Sequence, residues 1–110
     1  MLINEERYAS AYVNNQGQAR RFDDIGCMLI YHNDNQEDVA FFWVKDFNTH
    51  KWLRVDNAVF IRSDSIHSPM GFGIIAIENE NAAKDVQEKY PGKIIRFSEL
   101  LEIISEELYY

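Results

Sequence analysis

The chain has little with which to cross-link itself: it carries a single cysteine, Cys27, so no internal disulfide can form, and cysteine usage does not reveal a redox compartment. It lacks any apolar run near the roughly 18 residues of a membrane-spanning helix. Its opening, Met1-Leu2-Ile3-Asn4-Glu5-Glu6-Arg7, has neither the basic nor the apolar region of a signal peptide. There is no Gly-rich phosphate cradle, no Walker loop and no CxxC, and Asp46, Asp56 and Asp64 do not fall in the alternating acidic pattern of an EF-hand. Positive charge is also scarce. Eleven Lys and Arg stand against eighteen Asp and Glu, a formal charge of -7 that repels phosphate backbones and anionic lipid unless the cations are concentrated in a patch. Arg20-Arg21 is the only adjacent basic pair. No nucleic-acid partner is expected; a metal ion, a cationic partner or a protein surface is easier to accommodate.

What is present is a core. With 46% apolar and 14% aromatic residues against 26% charged, the 110 residues have the composition of one folded domain and are too few for a second. Tyr8 to Val13 and Ala19 to Phe22, separated by Asn14-Asn15-Gln16-Gly17, read as a hairpin. Asp23 or Asp24 can cap a helix with Ile25, Met28 and Leu29 on one face, stopped by Asn33-Asp34-Asn35-Gln36. Val39 to Val44 is a nearly continuous apolar run that suits a central strand covered on both faces, followed by a turn into Trp52-Leu53.

Ala58 to Arg62 and Gly73 to Ile77 are strands flanking an irregular loop, Ser63 to Phe72. A helix capped by Asn79 runs to Tyr90 and stops at Pro91-Gly92. Ile94 to Phe97 returns as a strand, and Ser98 opens a last helix with Leu100, Leu101, Ile104 and Leu108 on its apolar side. The order strand, strand, helix, strand occurs twice, so the fold class is α+β, two ββαβ units in one compact domain.

Chemistry concentrates in His67-Ser68-Pro69-Met70-Gly71, where an imidazole and a thioether lie three residues apart. A soft thioether selects Cu(I) over hard cations, and Met70 could share an ion with Cys27, Met28, His67 or a chain-terminal methionine. Equally, Met70 can plug the core beneath its loop. Adjacent helical residues point about 100° apart, so Cys27 and Met28 do not readily grip one ion, and Met28 belongs to the packed face. Cys27 as a buried structural thiol is the plain alternative to Cys27 as a ligand or, with His32, His50 or His67 as base, a nucleophile. Asp23-Asp24 and Glu106-Glu107 read as a cap and a solvated face.

Arg7-Tyr8-Ala9-Ser10-Ala11, Phe22-Asp23-Asp24-Ile25-Gly26-Cys27-Met28, Val44-Lys45-Asp46-Phe47-Asn48-Thr49, Pro69-Met70-Gly71 and Gly92-Lys93-Ile94-Ile95-Arg96-Phe97 resemble, in order and over nearly the whole chain, the NosL family. These are copper-binding accessory lipoproteins of nitrous oxide reductase maturation. The resemblance implies two ββαβ units, similar to part of organomercurial lyase. It implies a non-enzymatic Cu(I) metallochaperone that is extracytoplasmic and lipid-anchored, working with nitrous oxide reductase and its membrane transporter complex. It maps the Pro-Met-Gly methionine onto Met70. The family's N-terminal Cys-x-Met element precedes the segment matching Leu2 to Ala11; its methionine corresponds to Met1, and its cysteine, the signal peptide and the lipid-bearing cysteine are expected upstream of this fragment. Cys27 and His67 are optional further ligands. The rival readings are a Cys27 enzyme and a metal-free interaction module of an assembly or transport complex.

Overall fold

The computed structural model describes the backbone of residues 6–69 and 71–108, and the side chains of all of these except Leu108. The first hairpin forms where alternation and turn chemistry place it: β1 (Ser10–Asn14) pairs antiparallel with β2 (Ala19–Phe22), Ala11 opposite Arg21. Asn14 organises the turn, its Oδ1 accepting from the backbone N–H groups of Gln16 and Gln18 at 3.0 and 2.9 Å. The strand starts later than the alternation suggests. Glu6–Tyr8 forms a 3-10 turn that swings the Tyr8 ring into the core against Phe47.

Helix α1 (Ile25–Asn35) is capped by Asp24, and Ile25, Met28 and Leu29 are buried as the helical spacing requires. Full burial of each such side chain contributes about 1.5–3 kcal/mol. The helix ends at Gln36 in the left-handed conformation, its N–H donating to the His32 carbonyl at 2.9 Å. Next come β3 (Val39–Lys45) and β4 (Trp52–Arg54), completing a sheet of order β2-β1-β3-β4. β3 is internal, as expected, but it is not covered on both faces. Val44 is buried and Phe42 packs on the core, whereas Ala40 and Phe41 are exposed. The helices cover one face of this sheet, so Phe41 and Trp43, alternating with the inward Phe42 and Val44, look outwards.

Two-sided burial belongs to the second sheet instead. It contains β5 (Val59–Arg62), β6 (Ile74–Ile77) and β7 (Lys93–Ile95), in the order β6-β5-β7, with α2 (Glu80–Lys89) connecting the last two. Phe60, Ile74, Ala76 and Ile95 join Ile25, Met28 and Leu29 of α1 in one cluster. Val59, Ile61, Ile75 and Ile77 point the other way, towards Ala83 and Val86 of α2. In each unit the first strand lies between the second and third and pairs antiparallel with both, so the repeat is topological. β7 is shorter than expected because Phe97 opens α3 (Phe97–Leu108) rather than ending a strand. Its ring wedges between Phe42 and Phe60, with centroids at 5.0 and 5.8 Å. Leu100 and Ile104 are buried, Leu101 is half-buried, and the expected place of the Leu108 side chain lies outside the described residues.

The two sheets are joined at Asp46. The next residue, Phe47, donates its N–H to the Ala76 carbonyl at 2.8 Å. The buried Asp46 carboxylate accepts from Glu78 N–H on one oxygen, at 2.8 Å, and from Asn48 and Thr49 N–H on the other, at 3.0 and 2.7 Å.

A second carboxylate ties α1 back to its hairpin. Glu37 accepts from the Tyr12 hydroxyl, from Asn14 Nδ2 at 2.8 Å and from Arg20, whose Nε and Nη2 each lie at 3.2 Å. Arg20, then Tyr12 and Asn14, pull its pKa down from the ordinary 4.5 to about 2. Burial first, and then Glu37, push the Tyr12 phenol up. A carboxylate with a depressed folded pKa contributes stability that is present above its unfolded pKa and is lost as pH falls through the folded one. Thermal unfolding across a pH series should therefore show a Glu37-dependent loss between pH 4.5 and about 2. Glu37→Gln should be less stable than the parent above that window and converge with it below.

Candidate metal centre

Of the four candidate ligands, Met1 and Met70 lie outside the described residues, while Cys27 and His67 are seen. The residues flanking Met70 are held firmly. At the base of the 63–73 loop, Ser63 N–H donates to the Gly73 carbonyl at 3.0 Å and Ile66 N–H to the Ser63 carbonyl at 3.2 Å. Ile66 is buried among residues of the α2-side cluster. Only glycine serves at position 73: its φ is +67°, and a Cβ there would lie 2.4 Å from the Ser63 carbonyl oxygen. The chain then folds back on itself, Gly71 N–H donating to the Ser68 carbonyl at 3.0 Å.

Ser68 fastens this loop to α1. Its hydroxyl donates to Asp24 Oδ2 at 2.6 Å and accepts from Gly73 N–H at 3.0 Å. Asp24 Oδ1 meanwhile accepts from Gly26 N–H at 2.9 Å as the helix cap, and Asp24 is fully buried. A second contact lies beside the first. The Phe72 ring rests against Gly26, where an added Cβ would come within 2.2 Å of Phe72 Cγ. The segments on both sides of Met70 are thus seated on the first turn of α1, the turn that carries Cys27. Pro69 and Gly71 themselves are exposed.

Cys27 is half-buried, and burial first, then Asp24 and Asp23, push its thiol pKa up. A raised pKa leaves little thiolate at neutral pH, which counts against the nucleophile reading. Met28 is fully buried in the core and, as its face predicts, is a packing residue. His67 is exposed on the loop. Among the described residues, no three His, Cys, Asp or Glu side chains are gathered so as to hold a metal ion.

Sequence reasoning found the loop and the cap but missed the pieces that join them: Ser68, the second oxygen of Asp24, and the Phe72–Gly26 contact. One signal was available. Glycine in the first turn of a helix is worth keeping where another group must approach the backbone, since it costs about 1 kcal/mol relative to alanine.

A two-sheet α+β domain with a loop clasped to a helix N-terminus is the class of structure, and the family model described as NosL matches residues 1–104 of it. The chain belongs to the NosL family. Its fold is similar to that of the copper chaperone NosL from Shewanella denitrificans, with a TM-score of 0.72 and 20% identity over 83% of this chain and 75% of that one. Among curated proteins none matches.

Ser68→Ala should lower unfolding free energy by about 1–3 kcal/mol, the cost of removing one partner of a buried charge-assisted bond. In hydrogen exchange the loss of protection should be largest at the Gly71 and Gly73 amides. In metal-free protein, the pH profile of Cys27 alkylation should have its midpoint above the roughly 8.5 of an ordinary thiol. A midpoint at or below that value would return Cys27 to candidacy as a nucleophile.

Proposed function

We propose that this chain is a Cu(I)-binding metallochaperone, a carrier rather than an enzyme, that delivers copper as cargo for copper-site assembly in nitrous oxide reductase. Membership of the NosL family supports the reading, and so does the fold shared with a protein described as a copper chaperone. The observation that carries it is the clasp: Ser68 and Phe72 hold both flanks of Met70 against the α1 turn bearing Cys27. In the proposed site Met70 and Cys27 would contribute thioether and thiol donors, the soft chemistry that favours Cu(I).

In this reading Met70 is the principal thioether ligand, Met1 a second, and Cys27 or His67 completes a low-coordinate site. Because Pro69 and Gly71 are exposed, an acceptor's ligand can approach before the first donor leaves, which suits handover by direct exchange. The accompanying proposals are a lipid-anchored, extracytoplasmic location and partnership with the reductase and its membrane transporter complex.

The test is an anaerobic titration with Cu(I) against a chromophoric chelator. The chain should compete, and Met70→Ala should weaken binding at least about tenfold, or 1.4 kcal/mol. Adding a Cys-x-Met segment at the N-terminus should tighten it. Absence of binding with and without that segment would contradict the copper reading.

A further inference from the structure

The outward face of the first sheet has a chemistry unlike the rest of the molecule. The four strands β1 to β4 contain no Asp or Glu, although the chain holds eighteen. Their outward positions instead carry Phe41, Trp43 and Trp52, interleaved with Arg21, Lys45 and Arg54. Cross-strand register places Trp43 opposite Arg54 and Lys45 opposite Trp52. The cations lie on the rings. Arg54 Cζ is 4.4 Å from the Phe41 centroid and 5.8 Å from that of Trp43, and Lys45 Nζ is 4.7 Å and Arg21 Cζ 6.0 Å from Trp52. Phe41 and Trp52 are nonetheless 44% and 38% exposed, and Ala11, Trp43 and Trp52 line a shallow apolar depression.

We infer that this face is a docking surface for an acidic protein segment that alternates carboxylates with apolar side chains. Charge complementarity selects the occupant. A guanidinium over a ring still has N–H donors with which to take a carboxylate, while the aromatic rings between the cations offer apolar contact. The pair of Arg54 with Asp56 at 3.7 Å joins two exposed side chains and is of the weak, exchangeable kind, whereas Lys45, mostly buried, is held by Glu6 at 3.6 Å. A narrow segment touches only this face. An extended anionic membrane or nucleic acid would also meet the acidic remainder of a chain of net charge -7. A second copy offering its acidic helices would make a head-to-tail contact that does not close on itself. Aromatic and Arg side chains at the centre of a flat patch are the groups that dominate protein–protein affinity. The inference is independent of copper.

Trp43 and Trp52 are the chain's two tryptophans, so selectively excited tryptophan emission reports on this face. The protein is titrated with a synthetic peptide of alternating Glu and Leu, with a Lys-Leu counterpart, with phosphatidylserine-containing vesicles and with a single-stranded polyuridine. The expected result is a saturable emission change with the Glu-Leu peptide only. It should weaken at least tenfold in the double variant Arg21→Glu, Arg54→Glu, whose folding is checked by circular dichroism, and also in Arg54→Gln alone. An equal response to the Lys-Leu peptide, a response to vesicles or polyuridine in place of the peptide, concentration-dependent self-association through this face, or no response at all would each overturn it.

Discussion

The carboxylate of Asp24 is the constraint on which the functional end of the molecule depends. It is fully buried, so it requires hydrogen-bond donors, and it receives them from two parts of the chain: the Gly26 amide inside its own helix and the Ser68 hydroxyl from a loop 44 positions away. One oxygen starts α1; the other holds the 63–73 loop. Burial gives the second bond weight, because removing a partner from a buried charged group costs about 1–3 kcal/mol or more. Among the described residues, no buried side-chain nitrogen or oxygen lacks a hydrogen-bond partner. The cap of the helix and the placing of the 63–73 loop are therefore one structural event.

The same device recurs at Asp46, whose buried carboxylate spans the junction between the two sheets. The sheets share topology but differ in environment. The second is covered on both faces, by α2 on one side and by α1 and α3 on the other, and its β5 and β6 are accordingly almost wholly buried. The first is covered on one face, which leaves the cation–aromatic surface open. A chain of two similar units thus acquires one inward and one outward sheet, with the 63–73 loop clasped to α1 and the cation–aromatic face left open on the first sheet.

Much of the fold was legible in the sequence. The caps at Asp24 and Asn79, the Asn14 turn, the Ile25-Met28-Leu29 face and the twofold ββαβ order all rest on local chemistry, and local chemistry is what a sequence displays. The misjudgements were tertiary. Val39 to Val44 reads as buried because its residues are apolar, yet coverage depends on where helices pack, and cations stacked on aromatic rings make an exposed face tolerable to water. Phe97 reads as the end of the strand begun at Ile94, whereas in the structure it opens α3 with its ring between Phe42 and Phe60. At the candidate site, the motif around Met70 was visible as a pattern, but its fastening by Ser68 and Phe72 was not, since pairs so distant in sequence leave no periodic signal.

The central claim is that the clasped loop presents the Met70 thioether to copper beside the first turn of α1. Selenium-edge X-ray absorption on selenomethionine-labelled protein loaded with Cu(I) tests it most directly. The account predicts a copper neighbour at selenium that diminishes in Met70→Leu. A spectrum without copper scattering, or one unchanged by Met70→Leu, would contradict it.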